Sequence, residues 1–208
     1  MTFHKKNKKK TVLVIGPGYL GRDLIPLLVS DYRVIALGRS PYPHKPTDVT
    51  FYRADARNSK VLESCIKQSH IIINLLGGGG NQEVLAHPNW AIETYVLASQ
   101  EICRLAKKYR VKHILLSSSI AVHGPRIPYG FLKLIQEHIL VKSSMPYTIM
   151  RFSNIFGADA KHLISEKGLL GQFISSAVGG RILKIHGNGN QKVDYLHLSD
   201  ATAAIKLL

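Results

Sequence analysis

Short apolar runs and amphipathic stretches alternate along this chain of 208 residues. Residues 11–15, 33–37, 49–53, 70–76, 112–117 and 147–151 are rich in aliphatic, β-branched or aromatic side chains and too brief for helices, so each reads as a strand. Between them, apolar positions three and four apart predict helices over about 19–29, 59–68, 90–109 and 129–141, with a further helix over 199–208. The run from His70 to Leu76 is almost unbroken in its apolarity, as suits a strand covered on both faces. Strands alternating with helices imply βαβ units, a parallel sheet and right-handed crossovers. The expected fold class is therefore α/β, a doubly wound parallel sheet. Pro26 is expected to kink or shorten the first helix. Residues 41–46 read as a proline-rich loop and 77–80 as a flexible glycine loop. No internal repeat is present.

The junction of the first strand and first helix carries Gly16-Pro-Gly18-Tyr19-Leu20-Gly21, a G-x-G-x-x-G spacing. Glycine there permits a tight turn and lets an anion approach the backbone, and the following helix offers unpaired N–H groups. In that context the motif points to the pyrophosphate of a dinucleotide. An ordinary βα turn is the plainer alternative. Pro17 removes one N–H from the loop. About twenty residues on, dinucleotide folds place an acid that holds the ribose 2′-hydroxyl. Here the second strand ends in Gly38, followed by Arg39 and Ser40. A guanidinium pairs with a 2′-phosphate where a carboxylate would repel it, which argues for NADP over NAD. Against this stands a surface arginine in a basic protein. Asp55, followed by Ala56 after the third strand, either accepts from the adenine amino group or caps the next turn.

Ser117-Ser118-Ser119 closes the fifth strand at the carboxyl edge of the sheet, where open α/β folds bind ligands. Ten residues later come Tyr129 and Lys133, spaced i, i+4 on one helix face. A phenol near its unperturbed pKa of ~10 is a poor base at neutral pH, and a neighbouring ammonium favours its ionised form. Ser119 can then hold a substrate oxygen while Tyr129 takes or returns its proton. A Tyr-x-x-x-Lys spacing also arises by chance; its place after a serine-rich strand end is what recommends it.

Net charge is +15, and Lys5, Lys6, Lys8, Lys9 and Lys10 account for a third of it. Residues 1–10 are expected to be a disordered, solvated basic tail. The basic balance suits a phosphorylated ligand, an anionic surface or nucleic acid, but no nucleic-acid motif accompanies it. Cys65 and Cys103 share no metal spacing and read as buried thiols in a reducing compartment. His44, His87, His123, His162, His186 and His197 show no ligand spacing either, so no metal is expected. No apolar run approaches a membrane span, and no cleavage site follows the basic opening, which predicts a cytoplasmic protein.

These pieces together resemble the short-chain dehydrogenase/reductase superfamily, in its extended branch of NAD(P)-dependent epimerases and dehydratases. The likeness runs from residue 11 onward. It includes Ser-Ser-Ser with Val122-His-Gly124, Tyr129 with Lys133 and Glu137, Arg151-Phe-Ser-Asn154-Ile-Phe-Gly157, and Gly187-Asn-Gly189 leading to Asp194 and Asp200. The resemblance implies a Rossmann-like fold with Ser119, Tyr129 and Lys133 as the catalytic group. It also implies Lys133 on the nicotinamide ribose, Leu75, Leu76 and Gly77 beside the cofactor, and Asn154 near a substrate phosphate. Ser118 and His123 are further candidates for the substrate side. The implied activity is NADP-dependent epimerisation, dehydration or reduction of a nucleotide sugar, with homodimerisation through the helices around 90–109 and 129–141. The chain departs from the family pattern at Ile15, in place of an additional glycine, at Tyr95, in place of an active-site asparagine, and at Val193, in place of an arginine. The link from Ser119 to Tyr129 is about half the usual length. Residues 11–208 are expected to form the NAD(P)-binding domain, with the start of a substrate lobe from about 152. Because the chain stops in an apparent helix, that lobe is expected to be truncated or reduced. Atypical members that have lost catalysis supply the alternative, a non-catalytic NAD(P)-binding sensor or scaffold.

Overall fold

The computed structural model describes residues 9–40, 42, 48–77, 80–124, 127–157, 169–185 and 187–208. The basic tail over 1–8, most of the proline-rich loop, Gly78, Gly79, His44, His162 and His186 lie outside the described residues.

Six parallel strands form one sheet: β1 (Thr11–Ile15), β2 (Arg33–Gly38), β3 (Val49–Arg53), β4 (Ile71–Asn74), β5 (His113–Ser119) and β6 (Tyr147–Phe152), in the order β3-β2-β1-β4-β5-β6. The order reverses between β1 and β4, and the crevice outside the carboxyl ends at that point is where such sheets bind ligands. This is the Rossmann-like doubly wound architecture. Alternation along β1 sends its side chains both ways. Leu13 and Ile15 join the cluster packed on α2 (Ser59–Lys67), while Val12 and Val14 join the one packed on α1 (Tyr19–Leu28). Asn58 caps α2, its side chain accepting from the Val61 N–H.

Pro26 lies inside α1, which continues for two residues beyond it. Its missing N–H would have met the Arg22 carbonyl, and the Tyr42 hydroxyl donates to that oxygen instead, at 2.9 Å.

The helix expected over 90–109 is interrupted. It runs as α4 (Pro88–Ala91), a π segment (Ile92–Leu97) and α5 (Ala98–Lys108). The glycine loop is shorter than expected, because Gly80 opens α3 (Gly80–Ala86). Likewise β4 ends at Asn74, whose side-chain oxygen accepts from Leu76 N–H at 3.0 Å and turns the chain out of the sheet. After α6 (Pro128–Lys142) and β6 come β7 (Asn154–Phe156), α7 (Leu169–Val178) and β8 (Tyr195–His197), with β7 and β8 paired in parallel. Finally α8 (Leu198–Leu207) returns to α1, burying Leu198, Ala201 and Ile205. Cys65 and Cys103 are both free and buried, and burial pushes the Cys65 thiol up to about 11. Among the described residues no helix is long and apolar enough to cross a membrane.

Candidate functional site

The three glycines of the first turn do three different things. Gly16 adopts φ +75°, donates its N–H to the Leu37 carbonyl at 2.9 Å, and has the Leu75 backbone 3.2 Å from where a Cβ would stand. In front of Gly18 the space is open, the nearest atom to a Cβ being the Gly16 carbonyl at 3.9 Å. Gly21 lets α1 pack closely, since a Cβ there would meet Pro17 at 3.0 Å and Leu75 at 3.3 Å. No side chain caps the helix at Gly18. The loop thus presents open space before uncapped N–H groups, which can receive an anion. Leu20 is buried beneath, so only its backbone faces the loop. The Tyr19 hydroxyl donates to the Gly157 carbonyl, tying the turn to the end of β7. Burial, then Asp23, raises that phenol. Ile15, in place of the extra glycine, is buried in the α2-side core.

At the end of β2, Arg39 and Ser40 are exposed. The Arg39 guanidinium lies 5.2 Å from the centre of the Trp90 ring. No local signal pairs residues 39 and 90. Asp55 bonds within its own turn: its Oδ1 accepts from Arg57 N–H at 2.9 Å and Nε at 3.0 Å, and its Oδ2 from Nη2 at 3.0 Å. Burial alone would raise the Asp55 carboxyl; the Arg57 bonds and the Arg39 charge hold it below its usual value. Ala56 is buried beside it, and Arg57 also pairs with Glu93.

Ser119, Tyr129 and Lys133 come together where β5 and α6 meet. The Ser119 hydroxyl accepts from Ala121 N–H at 3.2 Å and lies near enough to the Tyr129 side chain to act on its phenol. Burial raises the Tyr129 phenol and Ser119 works the other way. Lys133, 3% exposed, donates to the carbonyls of Leu76 (2.9 Å) and Ser117 (2.8 Å), bracing the ends of β4 and β5. Desolvation pushes its amine down to about 7, with Glu137 opposing. Tyr95, fully buried, packs edge-on to both Trp90 and Tyr129 and lies beneath Lys133, 5.4 Å from ring centre to Nζ. An aromatic row therefore runs from Arg39 through Trp90 and Tyr95 to Tyr129. Gly77, at φ +102°, leaves the Tyr95 ring its room, since a Cβ would fall 2.4 Å from it.

The residues expected on the substrate side differ in exposure and in partners. Ser118 is buried and gives its hydroxyl to Glu137, which Arg151 also grips through Nε (3.0 Å) and Nη2 (2.7 Å). Burial would raise the Glu137 carboxyl; Arg151 and Ser118 hold it below its usual value. Asn154 joins the paired strands, its side-chain amide 3.2 Å from the Asp194 carbonyl. His123 is exposed, with Nε2 at 3.4 Å from Arg151 Nη1.

This geometry has relatives. The UDP-glucose 4-epimerase of Bacillus subtilis is 26% identical, over 89% of this chain and 68% of its own. The structure of MoeE5 in complex with UDP-glucuronic acid and NAD superposes with a TM-score of 0.85 at 25% identity, covering 95% of this chain and 71% of that one. The UDP-N-acetylglucosamine 4-epimerase of Methanobrevibacter ruminantium, solved with UDP-N-acetylmuramic acid, shares the fold at a TM-score of 0.83 and 22% identity, covering 96% of this chain and 73% of its own. The model of the NAD dependent epimerase/dehydratase family matches residues 12–208. With the glycine turn, the 3-2-1-4-5-6 sheet and the Ser-Tyr-Lys cluster in one chain, this protein belongs to the NAD dependent epimerase/dehydratase family.

Proposed function

We propose that this chain binds NADP at the glycine turn and acts on a nucleotide sugar, with Ser119 holding the reacting oxygen and Tyr129 moving its proton. The observation that carries this reading is the gathering of Ser119, Tyr129 and Lys133 at the carboxyl edge of the sheet. The residues present fit a dinucleotide: open space at Gly18, an uncapped helix, and an exposed Arg39 with no acid at the end of β2. The nicotinamide, when bound, supplies a site that accepts and returns hydride. The chain's own part is positioning and proton transfer. Gly16, Gly18 and Gly21, with the first-turn backbone at Tyr19 and Leu20, receive the pyrophosphate. Arg39 and Ser40 meet the 2′-phosphate, and Asp55 and Ala56 shape the adenosine end. Leu75, Leu76 and Gly77 border the nicotinamide side with Lys133. Burial keeps Tyr129 in its protonated form at neutral pH, ready to give a proton. The charged form of Lys133, one helical turn away, favours the phenolate that takes one. The relatives point to a UDP-sugar as substrate. His123 and Asn154, both exposed, are the candidates for contacting it; Ser118 acts indirectly, by fixing Glu137.

Tyr129→Phe tests this. Interconversion of UDP-sugars should fall by about 10²–10⁴-fold while NADPH affinity holds; unchanged turnover would overturn the mechanism. One observation favours a second reading, a dinucleotide-binding module without chemistry. Both hydrogen bonds of Lys133 end on backbone carbonyls, with its Nζ over the Tyr95 ring. A wild-type chain that binds NADPH and converts no UDP-sugar would establish that reading instead.

A further inference from the structure

Side chains along β2 alternate between the two layers. Ile35 and Leu37 lie in the cluster on the α2 side, Val34 and Ala36 in the cluster on the α1 side. Residue 38 therefore faces the α1 side, where the glycine turn lies. What stands there is Pro17. A Cβ on Gly38 would fall 2.8 Å from Pro17 Cδ and 3.1 Å from Cγ. The neighbouring atoms belong to a rigid ring that cannot swing aside, and on its other side a Cβ at Gly21 would be only 3.0 Å from Pro17 Cβ. Gly38 is not among the residues with positive φ, so its backbone would accept other residues. Space alone requires glycine there.

Position 38 is also the end of the second strand, twenty residues beyond Gly18, where a carboxylate would hold an unphosphorylated ribose. We propose that Pro17 is a specificity-determining residue of the dinucleotide site. By filling the space of any side chain at position 38, it bars that carboxylate and makes Arg39 the first side chain that can meet the ribose. This rests on the NADP reading above. The same ring removes an N–H from the pyrophosphate turn, and residues 17 and 38 are coupled: a side chain at 38 is penalised as long as the Pro17 ring stands against it.

The test uses the full chain in five forms: wild type, Pro17→Ala, Gly38→Ala, Gly38→Asp and Pro17→Ala/Gly38→Asp. Thermal unfolding without nucleotide reads the packing, and calorimetric titration with NAD and with NADP reads the specificity. Gly38→Ala and Gly38→Asp should each lower Tm by several degrees, and adding Pro17→Ala to Gly38→Asp should recover most of that loss. The double variant should bind NAD about tenfold more tightly than wild type does, while Gly38→Asp alone gains nothing. Gly38→Asp folding with wild-type Tm, or gaining NAD affinity unaided, would overturn the role of Pro17. So would a double variant that recovers neither. Equal NAD and NADP affinities in wild type would instead overturn the NADP reading, while the Tm coupling of residues 17 and 38 is read without nucleotide.

Discussion

Lys133 shows how far one side chain's chemistry depends on its surroundings. As a neutral amine it has two N–H donors, and two carbonyls, Leu76 and Ser117, receive them. Desolvation holds its folded pKa at about 7, whereas an unfolded lysine titrates near ~10.4. Between those values the unfolded chain binds a proton that the folded chain does not. Stability from this group is therefore complete above the unfolded value and is lost as pH falls toward 7, by up to about 1.4 kcal/mol per pH unit. Urea unfolding of wild type and Lys133→Met from pH 6 to pH 9.5 measures it. The stability difference should be flat below pH 7 and widen in favour of wild type above it. A difference independent of pH across that range would contradict the buried neutral amine. The i, i+4 spacing of Tyr129 and Lys133 was legible along the chain; the burial of Lys133 was not, because β4, β5 and Tyr95 create it together.

Among the elements, the π segment carries the most consequence. Its extra residue per turn breaks the register of a regular helix and is a form often found at functional sites. Here it buries Thr94 and Tyr95, and the Tyr95 ring reaches the turn after β4. Gly77 answers it with both a left-handed backbone and a missing Cβ. Gly77→Ala should therefore lose about 2–4 kcal/mol, combining backbone strain with overpacking. Repeating the substitution in a Tyr95→Leu background separates the two: the packing part should shrink while the strain part stays. Equal losses in both backgrounds, measured by chemical denaturation, would show that the ring is not what Gly77 accommodates. Periodicity predicted one helix from 90 to 109 because a single inserted residue barely disturbs the apolar pattern.

On the scale of the whole molecule, two buried clusters hold the sheet from either side, and the α1-side cluster is closed by the far end of the chain. Ile205, 3% exposed, belongs to that cluster together with Val12, Val14 and Leu24. Beside it Lys206 reaches Asp31 at 3.2 Å across the surface. The two interactions differ greatly in worth. Ile205→Ala should cost about 2–4 kcal/mol of global stability through lost burial and a cavity. Lys206→Ala should change it by less than about 1 kcal/mol, because exposed ion pairs are screened. Equal effects of the two in equilibrium unfolding would mean that α8 is held by its charges and not by its apolar face.

Local patterns sufficed for the strand–helix alternation, the parallel sheet, the glycine turn and the Tyr129–Lys133 pair, since each follows from spacing within one or two neighbouring elements. Tertiary contact decided the rest. Ser118 gives its hydroxyl to Glu137 on α6, a partner that only the fold brings to the end of β5. Trp90 met Arg39 across about fifty residues of sequence. Gly38 reads along the chain as a missing acid. In the folded protein it is the space that the Pro17 ring occupies, because only folding brings the first turn against the end of the second strand.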